Sequence, residues 1–560
     1  MHGTKPRFAV AGLLALAAFA APRPAAATLT TIWVGAGAQC DTSSLVLAVT
    51  EASNASDDHT RIYLANDQSY TGFSDLALDY INVEIDGGYA HCLDATPTGI
   101  TAIVGRSDGN VMSMFSGNES RQVTLRNLDI HGGDTSNIGG GLNISGGIYA
   151  VLDNAYVHDN HANSGAGVYL HGNGTVRPTL VLTGASLISA NVAVHDGGGI
   201  ECALADIVLG GVSIDYNFAG DDASSGSGGG LYLDDCTVQS AGGANFDNAI
   251  FGNHAYGGGG IFASDGSTID LGQSGGPTRI DDNSAVSAGG GLFLSDADTR
   301  ASLAATKIEA NASQITIGTA IGGGVYVANS ALFELDRGDR DEVCSGASPC
   351  AAMTSNIADL GSAVFASNGG RVRLSRCEID SPGATSVASV LDGDGDGSSI
   401  TLNGVLMDRL LATVAVRVTS GGAVVAANLT LAGNDVSNDF QLLGADTALN
   451  IQNSIVWDPL AIAVEGSGGV FSLNNNSFDP ATLPGMNFDP GFADPHHHDF
   501  HLRGDSLNVD AYTPMAYGST IDIDGNPRPF DLGRDNGGIF DRGAYELGDE
   551  IFADGFIDSD

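Results

Sequence analysis

One motif recurs through the centre of this chain and constrains its fold more than any other feature. A hydrophobic stretch ends in Asn-x-Ala or a close variant, a loop of variable length follows, and glycines lead into a short apolar strand. The asparagines are Asn160, Asn191, Asn217, Asn253, Asn283, Asn311 and Asn356. The strands that follow them begin at Val168, Ile200, Leu231, Ile261, Leu292, Val325 and Val364, with a degenerate earlier copy at Leu142. Their starts lie 26 to 39 residues apart, most near 31. A self-similar period in that range signals a solenoid, with length variation confined to loops on one face. The elements are short, alternating and bounded by glycine, so the solenoid is built from strands. The expected fold is all-β, a single-stranded right-handed parallel β-helix. Coils of about 25 to 31 residues would give roughly 17 to 20 turns at ~4.8 Å each.

Parity within each strand sorts inside from outside. Leu142 and Ile144, Val168 and Leu170, Leu231 and Leu233, Leu292 and Leu294 stand two apart and so share a face. They predict two aliphatic columns lining the core. Cys202 falls in one column and reads as a buried, unreactive thiol. The middle positions must then point outward. They run Asn143, Tyr169, Glu201, Tyr232, Phe262, Phe293, Tyr326 and Phe365, six of eight aromatic in a chain that is 7% aromatic. Stacked at coil spacing, Tyr169, Tyr232, Phe262, Phe293, Tyr326 and Phe365 are expected to form a flat apolar strip. They are the candidate ligand-binding residues, because contiguous exposed apolar area marks interaction sites. A covering loop such as residues 219–227 would instead bury them. The repeated asparagines predict an amide ladder at one corner.

The ends depart from this pattern. Asp41-Thr-Ser-Ser precedes Leu45, Ala48, Val49 and Ala52, a capping residue followed by helical spacing. A short helix is expected to cover the open end of the solenoid, which would otherwise be an unpaired edge. Residues 1–27 read as a signal peptide: Lys5 and Arg7, an apolar run to Ala21, then Ala25, Ala26 and Ala27. The remaining divisions are 28–110 for the cap and first coils, 111–470 for the repeats, 471–548 for a distinct C-terminal region, and 549–560 for an acidic tail.

Charge narrows the partners. The net charge is −44, and Lys307 is the one lysine beyond Lys5. Nucleic acid needs a basic stripe, and polyanionic substrates would be repelled. Seven cysteines in an exported protein suggest disulfides. Cys40 with Cys92 would staple the cap, and Cys344 with Cys350 would close a short loop.

The alternation of Asn-ended strands with glycine-led hydrophobic strands over residues 138–366 resembles the repeats of chlamydial polymorphic outer-membrane proteins. The C-terminal series resembles the choice-of-anchor domains of bacterial β-helix surface proteins. It comprises Asn453 to Trp457, Asp489 to Phe492, Asp499 to Leu502, Asp522 to Arg528 and Asp541 to Glu546. The ending Ile551 to Phe556 is similar to one on exported proteins of xanthomonad-like bacteria. These resemblances imply a Gram-negative secreted or cell-surface protein and no particular reaction.

Several polar clusters invite chemistry. Asp392, Asp394 and Asp396 alternate with glycine like the first half of an EF-hand loop, suggesting Ca2+, although Asn403 stands where a bidentate glutamate belongs. His496, His497, His498 and His501 could ligate a transition metal. The parallel β-helix also houses pectinases, but none of their hydrolase triplets occurs here, and a uronate groove would need basic residues. The leading expectation is an adhesin-like scaffold that binds a glycan or a neighbouring surface. The alternative is a lyase or glycoside hydrolase acting on a neutral glycan.

Overall fold

The computed structural model describes residues 29–54, 59–220, 225–241, 247–272, 277–314, 318–338, 351–381, 387–479, 488–512, 520–529 and 539–547. The chain winds into a parallel β-solenoid of three long sheets with sixteen, fourteen and fifteen strands. A middle coil shows the path. Val168–His171 lies in the fourteen-stranded sheet, Thr179–Thr183 in the sixteen-stranded sheet and Leu187–Ser189 in the fifteen-stranded sheet. Val192–Ala193 then adds to a six-stranded sheet confined to the middle coils, and glycines return the chain to Ile200–Ala203. At ~4.8 Å per coil the body is about 70 Å long. The coils number about fourteen, not 17 to 20. The reason is that winding ends with Ser477–Phe478, and the chain beyond builds something else.

Both aliphatic columns face inward: Leu142, Ile144, Val168, Leu170, Ile261, Leu292, Val325 and Val364 are all 0% exposed, within one core that runs from Ile32 to Phe478. The asparagine ladder forms as expected. Asn283 Nδ2 donates to Asn311 Oδ1 at 3.0 Å and to the Ile250 carbonyl at 2.9 Å. Its Oδ1 accepts from Asn253 Nδ2 and from the Asn253 backbone N–H, each at 3.0 Å. Each ladder asparagine follows a residue in the left-handed region, including Asp159, Ala190, Tyr216, Asp282, Ala310 and Ser355 at φ 50–54°. Side chains with a Cβ are strained there. The amide ladder secures the backbone of the corner despite that strain.

The helix Leu45–Asn54 caps the first coil, with Leu45, Ala48, Val49 and Ala52 buried and Ser44 Oγ accepting the Leu47 N–H at 3.3 Å. A disulfide joins Cys40 to Cys92. Cys202 corrects the sequence reading. It is no free thiol but is bonded to Cys236, because its inward strand position meets the inner corner of the next coil. Cys377 is buried and free. Cys344, Cys350, residues 1–27 and the tail 549–560 lie outside the described residues.

The described residues 488–512, 520–529 and 539–547 pack on the outside of the fifteen-stranded sheet. Phe492, Phe500, Leu502, Val509, Ile523, Ala544 and Tyr545 cluster with Leu406, Ala432 and Ile455 of the coils. The motif residues here serve as internal ties. Arg528 pairs with Glu546 at 2.9 Å with both side chains fully buried, and Arg542 Nε donates to the Asn475 carbonyl at 2.7 Å.

Candidate functional site

The outward column of the fourteen-stranded sheet is in register throughout. Asn143 pairs with Tyr169, Tyr169 with Glu201, Glu201 with Tyr232, then Phe262, Phe293, Tyr326 and Phe365 in turn. The first glycine of each turn sits close beneath it. Gly258 has φ +64°, and a Cβ there would lie 2.8 Å from the Phe262 Cβ; Gly289 repeats the geometry at Phe293. Glycine is required by both conformation and space.

Tyr169, Tyr232, Phe262, Phe293 and Tyr326 are half-buried, and Phe365 is buried. The rings do not lie flat as the sequence suggests. Tyr232 and Phe262 stack at 5.3 Å with a 4° interplanar angle, and Phe262 and Phe293 at 4.8 Å with 26°. Phe293 and Tyr326 meet edge-to-face at 4.6 Å. Rings stacked along the solenoid axis turn their faces to each other and their edges to solvent. The exposed strip is therefore a row of ring edges.

One step breaks the stack. Glu201 stands between Tyr169 and Tyr232, so both rings lose a ring neighbour on that side. Its Oε2 is buried and has no hydrogen-bond partner. Burial, then the charges of Asp196 and Asp234, push the Glu201 carboxyl up to about 7. Burial and the same acids raise the Tyr232 hydroxyl to about 12. Asp196 Oδ1 accepts the Ser227 N–H at 2.8 Å, and burial raises this carboxyl as well. His171 stacks on Tyr169 at 5.8 Å. Two tyrosines, a histidine and a half-protonated carboxyl thus meet on one face. Such a carboxyl can donate or accept a hydrogen bond near neutral pH. Sequence reading assigned Glu201 outward but missed its chemistry. The available signal was a single acid within an otherwise aromatic series.

The Asp392 group is divided. Asp392 continues the same column one coil beyond Phe365 and is fully buried. Its Oδ2 accepts from Arg417 Nε at 2.8 Å and from Ser389 Oγ at 2.7 Å. Burial, opposed by Arg417, pushes it up to about 6. Asp394 Oδ1 accepts from Thr419 Oγ1 at 2.6 Å, and Asp396 is exposed on the following turn. Two of the three carboxylates already have protein partners.

The C-terminal histidines are dispersed. His497 contacts Asp494 at 2.7 Å, and His498 contacts Asp408 at 3.4 Å. His501 bridges Asp499 and Asp524; although burial opposes its charge, these two hydrogen bonds hold it up to about 9. Asp408 belongs to a buried acidic group with Glu378 and Asp380, all three facing Arg409.

Fold and face together define a parallel β-solenoid with an edge-exposed ring ladder. The chain matches no family model, no curated protein and no solved structure. Among the described residues no helix is long and apolar enough to cross a membrane.

Proposed function

We propose that this chain is an exported or surface-displayed β-helix scaffold of a Gram-negative bacterium, binding a neutral glycan in adhesin-like fashion. The contact would centre on the step where Glu201 interrupts the ring column. The observation that carries this reading is the coincidence of two tyrosines, each without a ring neighbour on its Glu201 side, with a carboxyl raised to about 7 whose buried Oε2 has no hydrogen-bond partner. Tyrosine contributes an apolar body and a polar tip, and a sugar hydroxyl would satisfy the orphaned Glu201 oxygen. The disulfides support export, since such bonds persist in oxidising compartments. The net charge disfavours polyanions. A glycan array probed with the chain from residue 28 onward tests the reading. Neutral ligands that bind the wild type and are lost in Glu201→Ala and in the Tyr232, Phe262 and Phe293 triple serine variant would support it. Ligands unaffected by both sets, or none at all, would refute it.

A second reading is favoured by the same carboxyl. A general acid needs a raised pKa with a second carboxylate nearby, and Asp234 and Asp196 are close enough to raise Glu201. In a glycan-cleaving enzyme Glu201→Gln would abolish release of reducing ends while preserving binding. The scaffold reading also takes a weak Ca2+ site at the Asp394 and Asp396 turn. A rise in Tm specific to Ca2+ and abolished by Asp394→Ala would support that site, and an equal response to Mg2+ would refute it.

A further inference from the structure

On the fifteen-stranded sheet, a different face from the one that carries the ring column, two coils repeat a strand ending in histidine. Leu128–His131 and Tyr156–His158 pair in parallel, with Asp129 opposite Tyr156, Ile130 opposite Val157 and His131 opposite His158. Ile130 and Val157 are fully buried, so parity turns Asp129, His131 and His158 outward together. The two imidazoles stack at 5.0 Å and 17°. Asp129 Oδ1 lies 3.0 Å from His131 Nδ1 and 2.6 Å from His158 Nε2. One donor atom from each of the three residues falls within 4.8 Å of the others. We propose that Asp129, His131 and His158 form a binding site for a divalent transition-metal ion of the Zn2+ type.

Four observations carry the proposal. The donor set of two imidazoles and one carboxylate suits Zn2+ and its neighbours in the transition series and is poor for Ca2+ or Mg2+. The convergence is compact: metal bonds of about 2.0–2.1 Å place tetrahedral donors about 3.3 Å apart, so Asp129 Oδ1 need draw back by only about 0.3 Å from His131 and about 0.7 Å from His158. The remaining nitrogen of His158 is already held, with Nδ1 2.7 Å from Asp159 Oδ2. A carboxylate behind a ligating histidine fixes its tautomer and ring orientation, and metal sites use this arrangement to strengthen the bond. Finally, the three side chains are 26–28% exposed, so an ion can enter and keep a fourth position for water or a ligand. Val104 and Ser189 stand in the flanking coils opposite His131 and His158, and neither brings a competing positive charge. The ligands sit on paired strands rather than on a loop, so the solenoid itself sets their spacing.

The test is equilibrium dialysis of chelator-stripped protein against Zn2+, with Co2+ absorption as a second readout of the donor set. His496→Ala and His497→Ala are introduced as a background control, because exposed histidines bind Zn2+ weakly. The proposal expects one tight Zn2+ per chain in wild type and control, and a Co2+ spectrum of a nitrogen- and oxygen-ligated site. It expects that binding to be lost in the His131→Ala, His158→Ala double variant and weakened about tenfold in Asp159→Asn. Circular dichroism and thermal melting of the metal-free variants confirm that the outward substitutions leave the coils folded. Absence of tight Zn2+ binding in the wild type overturns the site, as does unchanged affinity in the folded double variant.

Discussion

Two stretches of the same solenoid solve the stacking problem differently. From Leu142 to Ala366 the ring column and the asparagine corner stack like on like, ring on ring from Tyr232 to Phe365 and amide on amide from Asn160 to Asn356, with Asn143 and Glu201 the polar breaks in the column. From Val387 to Phe478 the same column is as regular in register, but unlike groups face one another in it. Asp392 is followed by Arg417, Gln441 and Glu465 in the same column, with Arg417 bonded to Asp392 at 2.8 Å and Gln441 to Glu465 at 2.8 Å. At the corner Asn434 donates to Asp458, which also faces Asp439. A ladder of like groups propagates through any number of coils, because an amide both donates and accepts and a ring stacks on either face. A ladder of charges is closed: each member fits only its own neighbours. The middle region can therefore vary its length by repetition, while the C-terminal coils form a fixed sequence of partners.

The largest expected effect separates these two logics. Arg417→Leu leaves the buried Asp392 carboxylate without its cation and should cost about 3–5 kcal/mol in urea unfolding, while Asp392→Leu with Arg417→Leu should recover most of it. In the middle region Asn283→Ala removes the acceptor of the Asn253 amide and backbone N–H, the side-chain donor to the Ile250 carbonyl and one of two donors to Asn311 Oδ1, and should cost about 2–4 kcal/mol, with no single second substitution restoring it. Recovery in both regions or in neither would erase the distinction. Phe262→Ser should be milder, about 1–2 kcal/mol, because a half-buried ring loses less than a fully buried one.

Titration sharpens the contrast further. Glu201 holds its proton up to about 7 against 4.5 for an ordinary glutamate, and burial with the neighbouring Asp458 raises Asp439 more strongly. In both cases the folded chain keeps a proton that the unfolded chain has lost. Their contribution is whole below the ordinary carboxylate range and falls away as pH rises. Between pH 4.5 and 7 the fall from Glu201 should be about 2–3 kcal/mol, and Glu201→Gln should flatten it. Asp439→Asn should flatten the later decline at higher pH, which belongs to the C-terminal coils. The smallest effect is a gain. Ala310→Gly relieves a left-handed alanine at φ +54° and should stabilise by about 0.5–1 kcal/mol, glycine already standing at the equivalent position 252.

What the sequence made legible follows the same division. The core columns, the asparagine corner and the outward aromatic series could be read because each position repeats its own kind, so aligning the coils multiplies a weak signal. The tilt of the rings could not be read, since it depends on how closely the glycine turns press on the strand. Cys202 was misread because its partner lies not in its own column but at the next coil's inner corner. The aspartates of residues 392–396 resemble a loop motif in isolation; in register, Asp392 is simply the member of the ring column that follows Phe365. The pairing of His131 with His158 was present as a 27-residue repeat. It is faint because the two strands lie on a different sheet from the glycine-led repeat and the histidine recurs in only two coils.

The account rests on the ring column being reachable from solvent at its edges, and oxidative footprinting of the native protein measures that directly. Tyr216, 60% exposed, and Phe333, fully buried, set the two ends of the reactivity scale. Tyr232, Phe262 and Phe293 should label at intermediate rates, with Phe365 near the buried end. If all three label no faster than Phe333, the column is sealed, and a binding face on this sheet is contradicted.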